Sequence, residues 1–200
     1  LVKCSLRAAA LLECTLSQTS ILESELAAMT LAECRQEEVT LYQADLREVI
    51  LTGTHMHKCV LVEANLAGTG LAGLIAPRCQ LTRCDLRGTN LTGGQLTQVN
   101  LHRAKLQEAI LDDVIAPNLL CSEASLVGAT LCGADLTSGL FVDADATDAN
   151  FTSAKLYQSV WHRARCCRTR LSDCELTYAD FSHADLTDAH FTGASLSRAR

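Results

Sequence analysis

Large rings and rigid residues are scarce in this chain. It has two prolines, four Phe, three Tyr and one Trp in 200 residues. A core without bulky aromatics has to be narrow enough for Leu and Ala to fill. No apolar run approaches the roughly 20 residues of a membrane-spanning helix. Lys3 and Arg7 are not followed by the apolar segment of a secretory signal. The formal net charge of −6 leaves no basic face for nucleic acid. Also missing are a C-x-x-C pair, a glycine-rich phosphate loop and a G-x-S-x-G turn. What remains is 48% hydrophobic content, enough to bury the core of one domain.

That content is ordered with a period of five. Stepping from Leu1 through Leu6, Leu11 and Leu16 to Leu196, the register never slips. Of the 40 positions in this centre column, 27 are Leu and four are Phe (Phe141, Phe151, Phe181 and Phe191). The exceptions are Ile21, Gln36, Met56, Ala76, Ala116, Cys121, Ala146, Trp161 and Cys166. Two residues before each centre runs a column of small residues, from Cys4 and Ala9 to Ala199, with 17 Ala and seven Cys. The two columns together hold no Asp, Glu, Lys or Arg, where a composition of 20% charged residues would place about 16. They face a dry interior.

The other three columns carry every charge. The residue before the centre is often Asp or Asn, as at Asp45, Asn65, Asp85, Asn90, Asn100, Asp135, Asp145, Asn150, Asp180 and Asp185. The residue after it is often Thr, and the next holds eight of the eleven glycines, which predicts a turn with positive φ. A period of five is neither helix nor plain strand. It is one short extended segment plus one corner, and stacking such coils would pair backbone groups between turns.

Stretches such as Ala134-Asp135-Leu136-Thr137-Ser138 and Ala184-Asp185-Leu186-Thr187-Asp188 resemble the A(D/N)LXX motif of pentapeptide-repeat proteins. The resemblance runs through residues 1–200 as a single solenoid domain. It implies an all-β fold, a right-handed four-sided β-helix of about ten coils with 20 residues each. Side chains 20 apart would then stack, and Lys3–Glu23, Glu63–Arg83, Arg103–Glu123 and Asp143–Arg163 would pair across coils. Arg83–Arg103 and Glu123–Asp143 would be like-charged neighbours.

With 20 residues per turn, four faces are defined, numbered here from the centres Leu1, Leu6, Leu11 and Leu16. Cys4, Cys14, Cys34, Cys59, Cys79, Cys84 and Cys174 lie in the small inward column and read as buried free thiols. Stacking would bring Cys14 to Cys34 and Cys59 to Cys79, which keeps a disulfide geometrically conceivable. Cys166-Cys167 sits among Arg163, Arg165, Arg168 and Arg170, a setting able to lower a thiol pKa, but Cys166 is in the buried centre column and no redox role is expected. His55 and His57 point outward with Glu37 in reach of His57, but a metal would want a third close ligand, and no metal or cofactor is expected. Ser and His are scattered over separate outward columns, so no nucleophile–base set forms and no enzyme is expected. Leu74-Ile75-Ala76-Pro77 and Val114-Ile115-Ala116-Pro117 are near-copies on the fourth face, and Ala at the centre with Ile outside predicts a bulge or kink there. Finally, Ile115, Leu120, Leu140, Val142 and Val160 put large apolar side chains in outward columns, and they are the candidate interaction surface. Val60 and Val62 share the first face with most of them.

The best-known activity of the resembled family is binding DNA gyrase as a mimic of duplex DNA, which gives quinolone resistance. Such mimicry needs a dense acidic stripe. Here the faces sum to about −1, −3, −4 and +1, with Arg200 adding the last positive charge, and Arg165 and Arg168 interrupt the second. The resemblance also covers modules of secreted effectors and of type VI secretion components. The expectation is therefore a non-catalytic structural or interaction module of a larger bacterial protein, since both ends lie inside a repeat. Its partner would be another protein chain or domain, or a second copy, with no nucleic acid and no membrane span. Its place would be the bacterial cytoplasm, or outside the cell as part of a larger secreted chain.

Overall fold

A computed structural model describes residues 1–200. One pentapeptide shows why this sequence coils. In residues 64–68, Ala64 N–H donates to the Leu61 carbonyl at 3.0 Å, closing a four-residue turn. Asn65 N–H donates down to Ala44 at 2.9 Å, and Leu66 and Gly68 N–H donate up to Asp85 and Arg87, each at 2.8 Å. The remaining donor, Ala67 N–H, meets the Asn65 side-chain Oδ1 at 3.1 Å. All five backbone donors are thus paired without any long strand.

The same scheme repeats with bridges between residues 20 apart, such as Asp85↔Lys105, Leu120↔Leu140 and Arg170↔His190. It gives a right-handed quadrilateral β-helix with no α-helix. Five segments extend to three residues: β1 (Ala10–Leu12), β2 (Thr15–Ser17), β3 (Thr30–Ala32), β4 (Arg35–Glu37) and β5 (His55–His57). β1 pairs with β3, and β2, β4 and β5 form a parallel sheet with Ser17, Glu37 and His57 in one register column. The next residue in that column is Pro77, which has no N–H to donate, and the three-residue strands stop there.

The corners have a strict conformation. All eight glycines of the second corner position have positive φ, and so do 31 other residues, every one in that same column. Only Glu48 departs. A positive φ at the third residue of a turn closed by its first carbonyl is the type II arrangement.

The core is one cluster running from Ile21 to Phe181 along the axis, built from the two inward columns. At the ends, Leu1 is 53% exposed and Leu196 46%. Thr and Cys in the small column donate to nearby backbone carbonyls, several of them at centres: Thr89 Oγ1 donates to Leu86 at 2.8 Å, Cys84 Sγ to Leu61 at 2.7 Å and Cys174 Sγ to Phe151 at 2.9 Å. Gln36 is the departure from this rule. Its amide is buried in the centre column with neither polar atom paired, a local cost of about 1–3 kcal/mol.

The expected bulge at the two Ile-Ala-Pro segments is absent. Ile75 bridges His55 and Gln95, and Ile115 bridges Gln95 and Asp135, so the 20-residue register runs straight through. The inward pair has simply exchanged sizes. Leu74 and Val114 occupy the small column, are buried, and fill the volume that Ala76 and Ala116 leave. Such volume-conserving swaps are tolerated by a packed core. Leu119 and Cys121 repeat the exchange on the first face.

Candidate interaction surface

The first face presents two outward columns, one before and one after each centre. Leu120, Leu140 and Val160 stand in the first of them and are linked by successive parallel bridges, Leu120↔Leu140 and Leu140↔Val160. Leu140 is 36% exposed, while Leu120 and Val160 are half-buried. Val142, two residues on from Leu140, stands beside it on the same face and is half-buried. These four form one strip across three coils. Ile115, 50% exposed, is set apart from it on the fourth face, in a column where Gln95 and Asp135 flank it. Asn100 bridges to Leu120 below the strip and Asp180 bridges to Val160 above it, so the apolar column is bounded by polar residues at both ends.

Charge is excluded from the surroundings of the strip. The rows 117–122, 137–142 and 157–162 contain no Asp, Glu, Lys or Arg. The corner beside the strip does carry charge, but in pairs. Arg103 Nε donates to Glu123 at 2.8 Å, and Arg163 grips Asp143 through two bonds of 2.7 and 2.6 Å. Lys3–Glu23 at 3.6 Å and Glu63–Arg83 at 3.2 Å complete the four pairs expected from stacking. Above the strip, the Ser182 hydroxyl and His162 ring hold the Asp180 carboxyl well below the usual carboxylate range. Tyr157 packs edge-on against Tyr178 with ring centroids 5.7 Å apart.

The other candidates assemble differently. His57 Nδ1 lies 2.9 Å from Glu37 Oε1, as the stacking expects, and no third metal-ligating residue joins them. Neither thiol of Cys166-Cys167 is lowered in pKa by its arginine neighbours. Burial pushes Cys166 up to about 12. Cys167 is raised first by its hydrogen bond to Asp185, 3.1 Å away. Three of the four arginines nearby are held by carboxylates. Arg168 holds Asp148 at 2.7 Å, Arg163 holds Asp143, and Arg165 reaches Asp145 at 3.4 Å. The Arg165 and Arg168 pairs also break the acidic run of the second face.

One function of the sequence pattern became legible only in three dimensions. All ten Asp and Asn residues singled out before a centre accept the N–H two residues on, as in Asn90–Thr92 at 3.0 Å and Asp145–Thr147 at 3.1 Å. Six of the 23 acidic residues are thus committed to the chain's own corners.

Comparison with known proteins agrees with this architecture. The pentapeptide-repeats family matches in eight copies, over residues 41–73, 79–115, 124–160 and 161–200. Among solved structures, the chain is similar to HetL, a pentapeptide-repeat protein involved in heterocyst differentiation regulation from the cyanobacterium Nostoc sp. strain PCC 7120. That match has a TM-score of 0.72 and 24% identity and covers 98% of this chain and 90% of HetL. It is also similar to full-length QnrB1, a plasmid-mediated fluoroquinolone resistance protein, with a TM-score of 0.53, 17% identity and coverage of 94% and 93%. At these identities the likeness is one of fold. A search of curated protein sequences finds no match.

Proposed function

Because the chain belongs to the pentapeptide-repeat family, we propose that it works as a non-catalytic scaffold whose first face binds another protein chain or domain. Residues 1–200 act in this reading as one solenoid domain. The observation that carries it is the strip of Leu120, Leu140, Val142 and Val160. Large apolar residues also stand in other outward columns, as at Leu12, Ile50 and Ile110, but Leu120, Leu140 and Val160 are joined by successive bridges in one column whose flanking residues, Asn100 and Asp180, are polar. Stacked in three successive coils, such residues mark a contact surface. Ile115 is a separate, secondary point of contact on the fourth face.

The test is a photo-crosslinking amino acid placed at Leu140, with a second placed at Thr92 on the third face as the control. Crosslinks in the producing bacterium are expected from position 140 and not from position 92. Equal yields from the two positions, or none from either, would remove the assignment.

The likeness to QnrB1 favours one alternative, a gyrase-binding DNA mimic. It requires a continuous acidic stripe. The second and third faces sum to only −3 and −4 over the whole rod, and their carboxylates are partly paired or tied to corner N–H groups. Addition of the purified chain is accordingly expected to leave gyrase supercoiling unchanged at low micromolar concentration, and inhibition would favour the alternative.

A further inference from the structure

The strip has a property that a surface for an unrelated partner would not require: its outward residues match themselves when the order is reversed. Read upward, the rows are Asn100 with His102, Leu120 with Ser122, Leu140 with Val142, Val160 with His162, and Asp180 with Ser182. Reversed about the Leu140 row, Leu120 meets Val160 and Ser122 meets His162. Asn100 meets Asp180 and His102 meets Ser182. Apolar thus falls on apolar, hydroxyl on imidazole and amide on carboxylate. We propose that this face is a self-association surface, on which a second copy of the chain packs antiparallel with Leu140 at the two-fold axis. The proposal rests on the reading of the strip as a contact surface and names its occupant.

Electrostatics disfavours two of the other faces. A chain of net charge −6 repels its own copy, and the second and third faces, at −3 and −4, do so most directly. The first face sums to about −1, and its corner charges are neutralised within the chain, Arg103 with Glu123 and Asp143 with Arg163. Reversal also brings Glu123 toward Arg163 of the partner subunit. Asp143 approaches its own counterpart, but each is already gripped by an arginine of its own chain. At the ends of the strip, Asn100 Nδ2 donates one N–H to Gln80 at 2.9 Å and retains a second for the carboxylate of Asp180 of the partner subunit. Both copies have the same coil spacing, about 4.8 Å, so the rows stay aligned along the whole strip. A three-coil strip buries less than the roughly 1,200 Å² of a standard stable interface, which puts this contact in the class of small, reversible interfaces.

Sedimentation equilibrium over a range from low to high micromolar tests it, with thermal unfolding followed in parallel. Wild type is expected to dimerise. Leu120→Ser combined with Leu140→Ser, and separately Leu140→Glu, which opposes two carboxylates across the axis, should each weaken dimerisation at least about tenfold with little change in melting of the monomer. Ser122→Arg alters only an outward residue and faces the partner's His162, so it reports on the interface even if the leucine variants fold poorly. It too should weaken the dimer. A wild type that stays monomeric throughout, or a dimer indifferent to all three variants, overturns the proposal. If the wild type is monomeric while position 140 crosslinks to a different protein, the second copy is wrong and the scaffold reading stands. If position 140 crosslinks to nothing and the wild type is monomeric, both fall.

Discussion

Each corner of the rod concentrates its conformational cost on one residue. The second corner position sits at φ between 47° and 63° in all 31 non-glycine cases, a region that costs an L-residue roughly 1–2 kcal/mol. The chain tolerates it because the conformation turns the backbone into the next face while its N–H still joins the ladder, as Gly68 does to Arg87 at 2.8 Å. The eight glycines of this column made the turn visible in the sequence, but most of the 31 others did not, since Glu, Arg and Gln carry no local signal for positive φ. The Asp and Asn preference was equally visible as a frequency, and its cause, the otherwise unpaired N–H two residues on, was not. Gln158, exposed at φ 57°, is a corner residue whose replacement isolates this cost. Glycine there removes the Cβ clash at the expense of a more disordered unfolded chain, a cost of roughly 0.5–1 kcal/mol. Gln158→Gly is expected to stabilise by up to about 1 kcal/mol, raising the melting temperature by about 2–4 °C for a chain of this size. A lower melting temperature in calorimetry would contradict the turn assignment or show that the Gln158 side chain contributes more than its exposure implies.

At the scale of the coil, the core is filled by compensation between columns and between faces. Phe141, Trp161 and Phe181 stack along the first face, with ring centroids 4.0 and 5.6 Å apart. Phe151 meets Phe141 and Trp161 edge-on from the third face, at 6.2 and 5.3 Å. Room for these rings is made by small residues. Ala146 and Cys166 stand at centres of the second face, and at Gly139 a Cβ would lie 2.8 Å from the Phe141 ring. The indole N–H is satisfied by Ser159 Oγ at 2.8 Å. In the sequence Ala146, Trp161 and Cys166 appeared as three unrelated exceptions, because a column shows residue size but not which residue faces which across the rod. The same limit produced the mistaken bulge at Ala76 and Ala116. Trp161→Ala would leave a large cavity that rigid neighbouring coils cannot close, and a loss of about 3–5 kcal/mol is expected in urea denaturation. A loss below about 1 kcal/mol would show that the aromatic stack collapses to fill the gap. Trp161→Ser would fare no better, since it leaves the Ser159 hydroxyl facing the same void.

For the whole molecule, the regular features were legible and the particular ones were not. An unbroken period, charge-free inward columns and stacking of opposite charges gave the fold, because every coil repeats the same physical requirement. The proposed contact surface is particular to coils six to eight, so no periodicity announces it; only large apolar residues in outward columns do. A solenoid of this kind also has a distinctive weakness. Each coil touches only its neighbours, so stability propagates along one dimension and a single bad coil divides the rod. Leu96 is the place to test this. It is buried at 3% exposure near the middle of the rod, stacked between Ala76 and Ala116, and it has no large centre above or below on its own face to shield a polar replacement. Leu96→Asp would place an unpaired carboxylate in a dry column, among the most destabilising of single changes. The damage should be local in origin. In hydrogen exchange, protection of the ladder amides is expected to fall first in the coils that hold residues 76–116, while the aromatic coils around Trp161 keep most of theirs. Uniform loss from end to end would mean that the rod unfolds as one cooperative unit. Wild-type protection throughout would mean that the centre column does not face the interior.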